Sequence, residues 1–127
     1  MAKKVTELQF TTPNRPGVLS KISHALKAAR VNILHVWGCG EGSKACLGVV
    51  TSNNARAKQA LKKMGIRTKE KALLLTQMPN RAGVLARMAD KLAKARVNIT
   101  SLSATTGGRR VAVLLNTSNN GKASRLL

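Results

Sequence analysis

The sequence predicts an α+β fold of two ferredoxin-like βαββαβ modules, each an antiparallel sheet with helices on one face. Three observations predict it. The chain repeats itself at a spacing of 66 residues without a gap. Within each repeat, stretches of alternating apolarity exchange with stretches of helical period. Turn-forming residues separate them at matching places in both copies.

The repeat is carried by three blocks in one register. Pro13-Asn14-Arg15-Pro16-Gly17-Val18-Leu19 returns as Pro79-Asn80-Arg81-Ala82-Gly83-Val84-Leu85. Ala29-Arg30-Val31-Asn32-Ile33 returns as Ala95-Arg96-Val97-Asn98-Ile99, and Thr51-Ser52-Asn53-Asn54 as Thr117-Ser118-Asn119-Asn120. Between positions 13 and 33, 12 of 21 residues are identical to their partners. Length alone suggests one domain; the repeat divides the chain into module 1 over 1–71 and module 2 over 72–127. Modules this small have marginal cores alone. A homodimer, or pairing of the two modules, is therefore expected.

Each element has its signal. Thr6, Leu8 and Phe10 alternate with Glu7 and Gln9 as a half-buried strand, matched by Ala72, Leu74 and Thr76. Thr12 to Gly17 breaks it, with Pro16 suited to a first helical turn. Val18, Leu19, Ile22, Ala25, Leu26 and Ala29 then recur at helical spacing, as do Val84, Leu85, Met88, Leu92 and Ala95. Val31–Trp37 reads as the second strand, with a turn at Gly38, Gly40 and Gly42, matched by Gly107-Gly108. Ala45, Leu47 and Val49 make a third strand, as do Val111, Val113 and Leu115. Asn53-Asn54 caps a helix through Ala57, Ala60, Leu61 and Met64 that stops at Gly65. Ile66–Lys71 reads as a short fourth strand running into the next first strand. Leu127 aligns with Leu61, so module 2 is expected to lack the end of its last helix and its last strand. Its open edge then calls for cover from the other module or a partner.

Composition narrows the function classes. Twenty-three Lys and Arg face four acids, Glu7, Glu41, Glu70 and Asp90, for a formal net charge of +19. Such a field attracts polyanions. Nucleic acid held non-specifically by its backbone is thus the alternative partner, through Lys21, Lys27, Arg30, Lys58, Lys62, Lys63, Arg87, Lys91 and Lys94. The third strands carry no aromatic residue, so an RNA-stacking platform is not expected. No run is long and apolar enough for a membrane span, and the start lacks a signal-peptide pattern; a cytoplasmic location is the simplest reading. Cys39 and Cys46 are too few for a disulfide scaffold; two reduced, buried thiols are the simplest reading, although they flank glycines and could face each other across a hairpin.

Comparison of the copies filters the candidate residues. His24 becomes Asp90, His35 becomes Ser101, and the cysteines become Thr105 and Ala112. No acid/base pair, metal set or cofactor motif survives, and no enzyme is expected. What the copies share is the strand-to-helix turn and Val-Asn-Ile. A helix N-terminus opened by glycine accepts a carboxylate, and asparagine offers both donor and acceptor. Together these suit a zwitterion.

These residues resemble the signature of the ACT domain: Asn14-Arg15-Pro16-Gly17-Val18-Leu19 followed by Val31-Asn32-Ile33, repeated at Asn80 to Leu85 and Val97 to Ile99. The resemblance covers nearly the whole chain and is greatest to small stand-alone tandem ACT proteins. It implies a non-enzymatic regulatory module that binds a small amino acid at ACT–ACT interfaces, with a ligand-dependent change in domain packing and an enzyme partner as an open alternative to a free-standing sensor. One site would have a wall of Asn14, Gly17, Val18 and Leu19, faced by Asn32 and Ile33 of a neighbouring domain. The second would use Asn80, Gly83, Val84, Leu85, Asn98 and Ile99. Where family members often carry Asp, this chain has Asn14 and Asn80, and Ala82 replaces the usual proline of the second turn.

Overall fold

A computed structural model describes residues 2–127, with the order β1 (Lys3–Pro13), α1 (Val18–Ala28), β2 (Ile33–Glu41), β3 (Lys44–Thr51), α2 (Asn54–Lys63), β4 (Lys69–Pro79), α3 (Val84–Lys94), β5 (Ile99–Gly107), β6 (Arg110–Thr117), α4 (Asn120–Leu126). The class is α+β with antiparallel pairing of β1 to β3, β2 to β3, β4 to β6 and β5 to β6. The chain divides into two compact units, Thr6–Lys71 and Ala72–Leu127 together with Met1–Val5. We call them the first and second unit.

In the first unit the sheet order is β2-β3-β1, with the opening residues of β4 beside β1. Alternation sends Leu8, Phe10, Leu47 and Val49 to one face, where they meet Ile22 and Leu26 of α1 and Ala57 and Leu61 of α2. Each such fully buried aliphatic side chain stabilises the fold by roughly 1.5–3 kcal/mol. In the second unit the order is β5-β6-β4, with Lys3–Val5 of β1 beside β4. Its core gathers Leu74, Val111, Val113 and Leu115 under Met88, Leu92 and Ala123. Ala2 joins that core, and its N–H donates to the Leu127 carbonyl at 3.2 Å. Lys3–Val5 thus lies beside β4 in the second unit as the opening residues of β4 lie beside β1 in the first.

The helix ends follow local chemistry. Asn53 and Asn119 cap α2 and α4, their side-chain oxygens accepting from Arg56 and Lys122 N–H at 3.1 and 2.9 Å. Beyond α1, Arg30 takes a left-handed conformation (φ 59°), as Arg96 does beyond α3 (φ 57°). Arg30 N–H then bonds the Lys27 carbonyl and Val31 N–H the Leu26 carbonyl, the paired bonds of a Schellman ending.

Three sequence expectations shift. Pro16 precedes the helix, which begins at Val18 after Gly17 with φ 89°. The β2 strand continues past Trp37 to Glu41, because the reversal needs only Gly42-Ser43, with Gly42 at φ 62°. The glycines at 38 and 40 are therefore strand residues. Ile66 packs on the core, and strand structure starts again only at Lys69.

Candidate functional site

Asn14 follows the end of β1 and is tied to the tip of the β2–β3 hairpin. Its main-chain N–H donates to the Ser43 carbonyl at 2.9 Å and its Nδ2 to the Gly42 carbonyl at 3.0 Å. The amide lies over Gly40, where a Cβ would come within 2.7 Å of Asn14 Oδ1. Gly40 is thus a strand glycine with a packing reason. Gly17 then turns the chain into α1, which has neither a side-chain cap nor an acid in its first turn. A helix begun this way leaves N–H groups without intrahelical partners at its positive end.

The second unit repeats the arrangement. Asn80 N–H donates to the Arg109 carbonyl at 2.8 Å and Nδ2 to the Gly108 carbonyl at 3.1 Å. Gly83 enters α3 at φ 86°, again without a side-chain cap or an acid in the first turn. Val18 and Val84 pack partly against their cores, while Leu19 and Leu85 are 55% and 44% exposed. Each turn therefore presents an amide, a helix N-terminus and one solvent-facing leucine.

Asn32 and Ile33 lie elsewhere. Asn32 N–H donates to Ser52 Oγ at 2.9 Å, and its carbonyl accepts from Ser52 N–H at 2.9 Å. Asn98 and Ser118 make the same two bonds at 2.9 and 2.8 Å. Ile33 pairs with Thr51 at one end of the β2–β3 ladder, whereas Glu41 pairs with Lys44 at the other. A strand rises about 3.3 Å per residue, so the Asn14 and Asn32 groups stand roughly 25 Å apart along one unit. Asn80 and Asn98 are separated in the same way, Ile99 pairing with Thr117 and Gly107 with Arg110. Within a unit, then, the structure brings together Asn14, Gly17, Val18 and Leu19, or Asn80, Gly83, Val84 and Leu85. It does not bring Asn32 and Ile33, or Asn98 and Ile99, to them.

The Asn32 end has a surface of its own. An open hollow of about 450 Å³ is lined by Ser23, Lys27, Arg30, Val31, Asn32 and Ile33. Lys27 and Arg30 make it cationic. At the matching positions the second unit has Ala89, Ala93 and Arg96, leaving one cation.

Sequence reasoning missed Ser52 and Ser118, which pin Asn32 and Asn98, although both fall in the repeated Thr-Ser-Asn-Asn block. It also missed the carbonyls of Gly42 and Gly108, which no side-chain pattern reveals. Phe10 is buried on the helix side of its sheet, so it offers no stacking surface. Among the described residues no three His, Cys, Asp or Glu side chains gather as metal ligands, and no helix is long and apolar enough to cross a membrane.

The fold has close counterparts among solved structures. A protein from Bacteroides thetaiotaomicron superposes with a TM-score of 0.92 at 21% identity, over 99% of this chain and 88% of its own. The ligand-free regulatory subunit of aspartate kinase from Thermus thermophilus gives 0.72 at 16%, over 98% and 93%. A structure of aspartokinase alpha and beta subunits gives 0.67 at 18%, over 98% and 93%. No protein-family model matches the chain, and no curated protein matches it. At these identities the likeness defines the fold alone, an α+β arrangement shared with the aspartate kinase regulatory subunit.

Proposed function

We propose that the chain is a non-catalytic regulatory protein of two tandem ACT-like modules that bind a small amino acid. One observation carries the reading. Both units hold an asparagine and an uncapped, glycine-opened helix N-terminus against a hairpin tip, with the same bonds in each. The N-terminus suits the ligand carboxylate, and the asparagine oxygen suits its ammonium. Leu19 and Leu85 offer apolar contact to an aliphatic side chain.

The separation of Asn14 from Asn32 within a unit supports a composite site. Asn32-Ile33 of a neighbouring ACT-like domain would close over the Asn14 turn, and Asn98-Ile99 over the Asn80 turn. A ligand bridging two domains changes their packing by its differential affinity for the two arrangements, and an enzyme partner would read that change. Isothermal titration calorimetry of the dialysed protein against the twenty amino acids tests the reading. Saturable binding of a small or aliphatic amino acid is expected. Folded protein that binds none at millimolar ligand contradicts it.

A second reading has one observation in its favour. On the helix side of the first unit, Lys21, Lys27, Arg30, Lys62 and Lys63 are exposed, and the nearby acid Glu70 is already paired with Lys58 at 3.1 Å. Such a surface holds a nucleic-acid backbone electrostatically, with steep loss of affinity as salt rises.

A further inference from the structure

We propose that Cys39 and Cys46 form a reversible intramolecular disulfide by exchange with an anionic low-molecular-weight disulfide, making the β2–β3 hairpin of the first unit a modification site. The two residues are direct register partners across the antiparallel pair. Facing residues in such a pair have Cα atoms about 4.5–5.5 Å apart, inside the range of about 4.4–6.8 Å that a disulfide spans. They project from the same side of the hairpin, together with Trp37, Gly48 and Lys44, and both thiols are exposed and free. Gly38 and Gly40 flank Cys39, giving the backbone freedom for the local twist that brings the sulfurs together.

The chemistry balances with the reagent named. One cysteine thiolate attacks RS–SR, breaking its S–S bond and releasing one thiolate that takes up a proton. The second cysteine thiolate attacks the mixed disulfide, closing the Cys39–Cys46 bond and releasing the other RSH. The protein loses two protons and two electrons, and the reagent becomes two thiols. The net charge of +19 and Lys44, two residues along from Cys46, draw an anionic reagent to the hairpin. An exposed disulfide of this kind is of the labile sort that exchange readily reverses.

The bond has a local consequence. The hairpin tip accepts both bonds from Asn14, so cross-linking three residues behind that tip stiffens the support of the first turn. The second unit has Thr105 and Ala112 at these positions and stays unaffected. The disulfide itself stands independently of the amino-acid reading, and its test contains no amino acid.

The full-length protein is incubated with oxidised glutathione, then examined by intact mass, thiol titration and amide exchange. The expected product is a monomeric chain lighter by two hydrogen atoms, with both thiols lost and no glutathione retained. Exchange at Asn14 N–H slows several-fold while Asn80 N–H is unchanged, and a dithiol reductant restores the starting mass. Cys39→Ser and Cys46→Ser, lacking a resolving thiol, each retain one glutathione. A neutral disulfide at equal concentration reacts several-fold more slowly. Two thiols that remain titratable, glutathione that persists on the wild-type chain, or a bridge joining two chains would overturn the proposal.

Discussion

In the first unit, the sheet face turned away from the helices buries a carboxylate. Glu7 is 1% exposed, accepting from Gln9 Nε2 at 2.9 Å and from Trp37 Nε1 at 3.0 Å. The indole passes over Gly48, where a Cβ would meet Trp37 Nε1 and come within 2.7 Å of Glu7 Cδ. The positions 66 residues later in the second unit hold Leu73, Leu75, Ser103 and Leu114, and Leu73 and Leu114 are buried. One copy thus fills a place with a hydrogen-bonded acid and an indole, the other with leucines. A buried carboxylate is tolerated only with hydrogen-bond donors, whereas leucines need none. The helix-side cores and the asparagine turns, by contrast, are built alike in both units. Such freedom on one face, beside sameness at the turns, is what the proposed shared role of the turns requires.

Several substitutions break or sharpen that contrast. The largest effects belong to the common core. Leu26→Ala and Leu92→Ala each remove a side chain that is 0% exposed and should destabilise by about 2–5 kcal/mol, measured by urea unfolding. A markedly smaller loss for one of them would mean that the two cores are not equivalent. Gly48→Ala should follow, at about 1–3 kcal/mol, because the added methyl displaces Trp37 and strips a donor from buried Glu7. A red shift of the Trp37 emission relative to the wild type should accompany it. Trp37 is the only tryptophan, so the signal reports this face alone. Asn53→Ala and Asn119→Ala remove matching caps and should cost about 1 kcal/mol each.

The smallest change should be a gain. Arg30→Gly relieves a left-handed arginine and should stabilise by up to about 1 kcal/mol, as should Arg96→Gly. If stability falls instead, the Arg30 side chain contributes more than its backbone costs. Arg30→Gly also removes one of the two cations lining the hollow beside Asn32, and should weaken any electrostatic hold on a nucleic-acid backbone.

Much of this was legible in residues that recur. The asparagine caps and the order of elements followed from repeated blocks. Glu7 was not legible: alternation assigns it to a face but does not say what covers that face. Its cover comes from Trp37, 30 residues away on another strand. Gly40 misled for a related reason. In sequence it marks a turn, but in the fold it makes room for Asn14, a long-range contact that no local pattern records. The bonds of the site asparagines were likewise hidden, since their partners are main-chain carbonyls or a serine from a distant element.

The central claim is that ligand binding follows what the units share, not what distinguishes them. Calorimetric titration of the best amino-acid ligand into wild type, Asn14→Ala, Asn80→Ala and Trp37→Phe tests it most directly. The account predicts at least tenfold weaker binding at one of two sites in each asparagine variant, with wild-type affinity in Trp37→Phe. Unchanged binding in both asparagine variants, or a loss confined to Trp37→Phe, would contradict it.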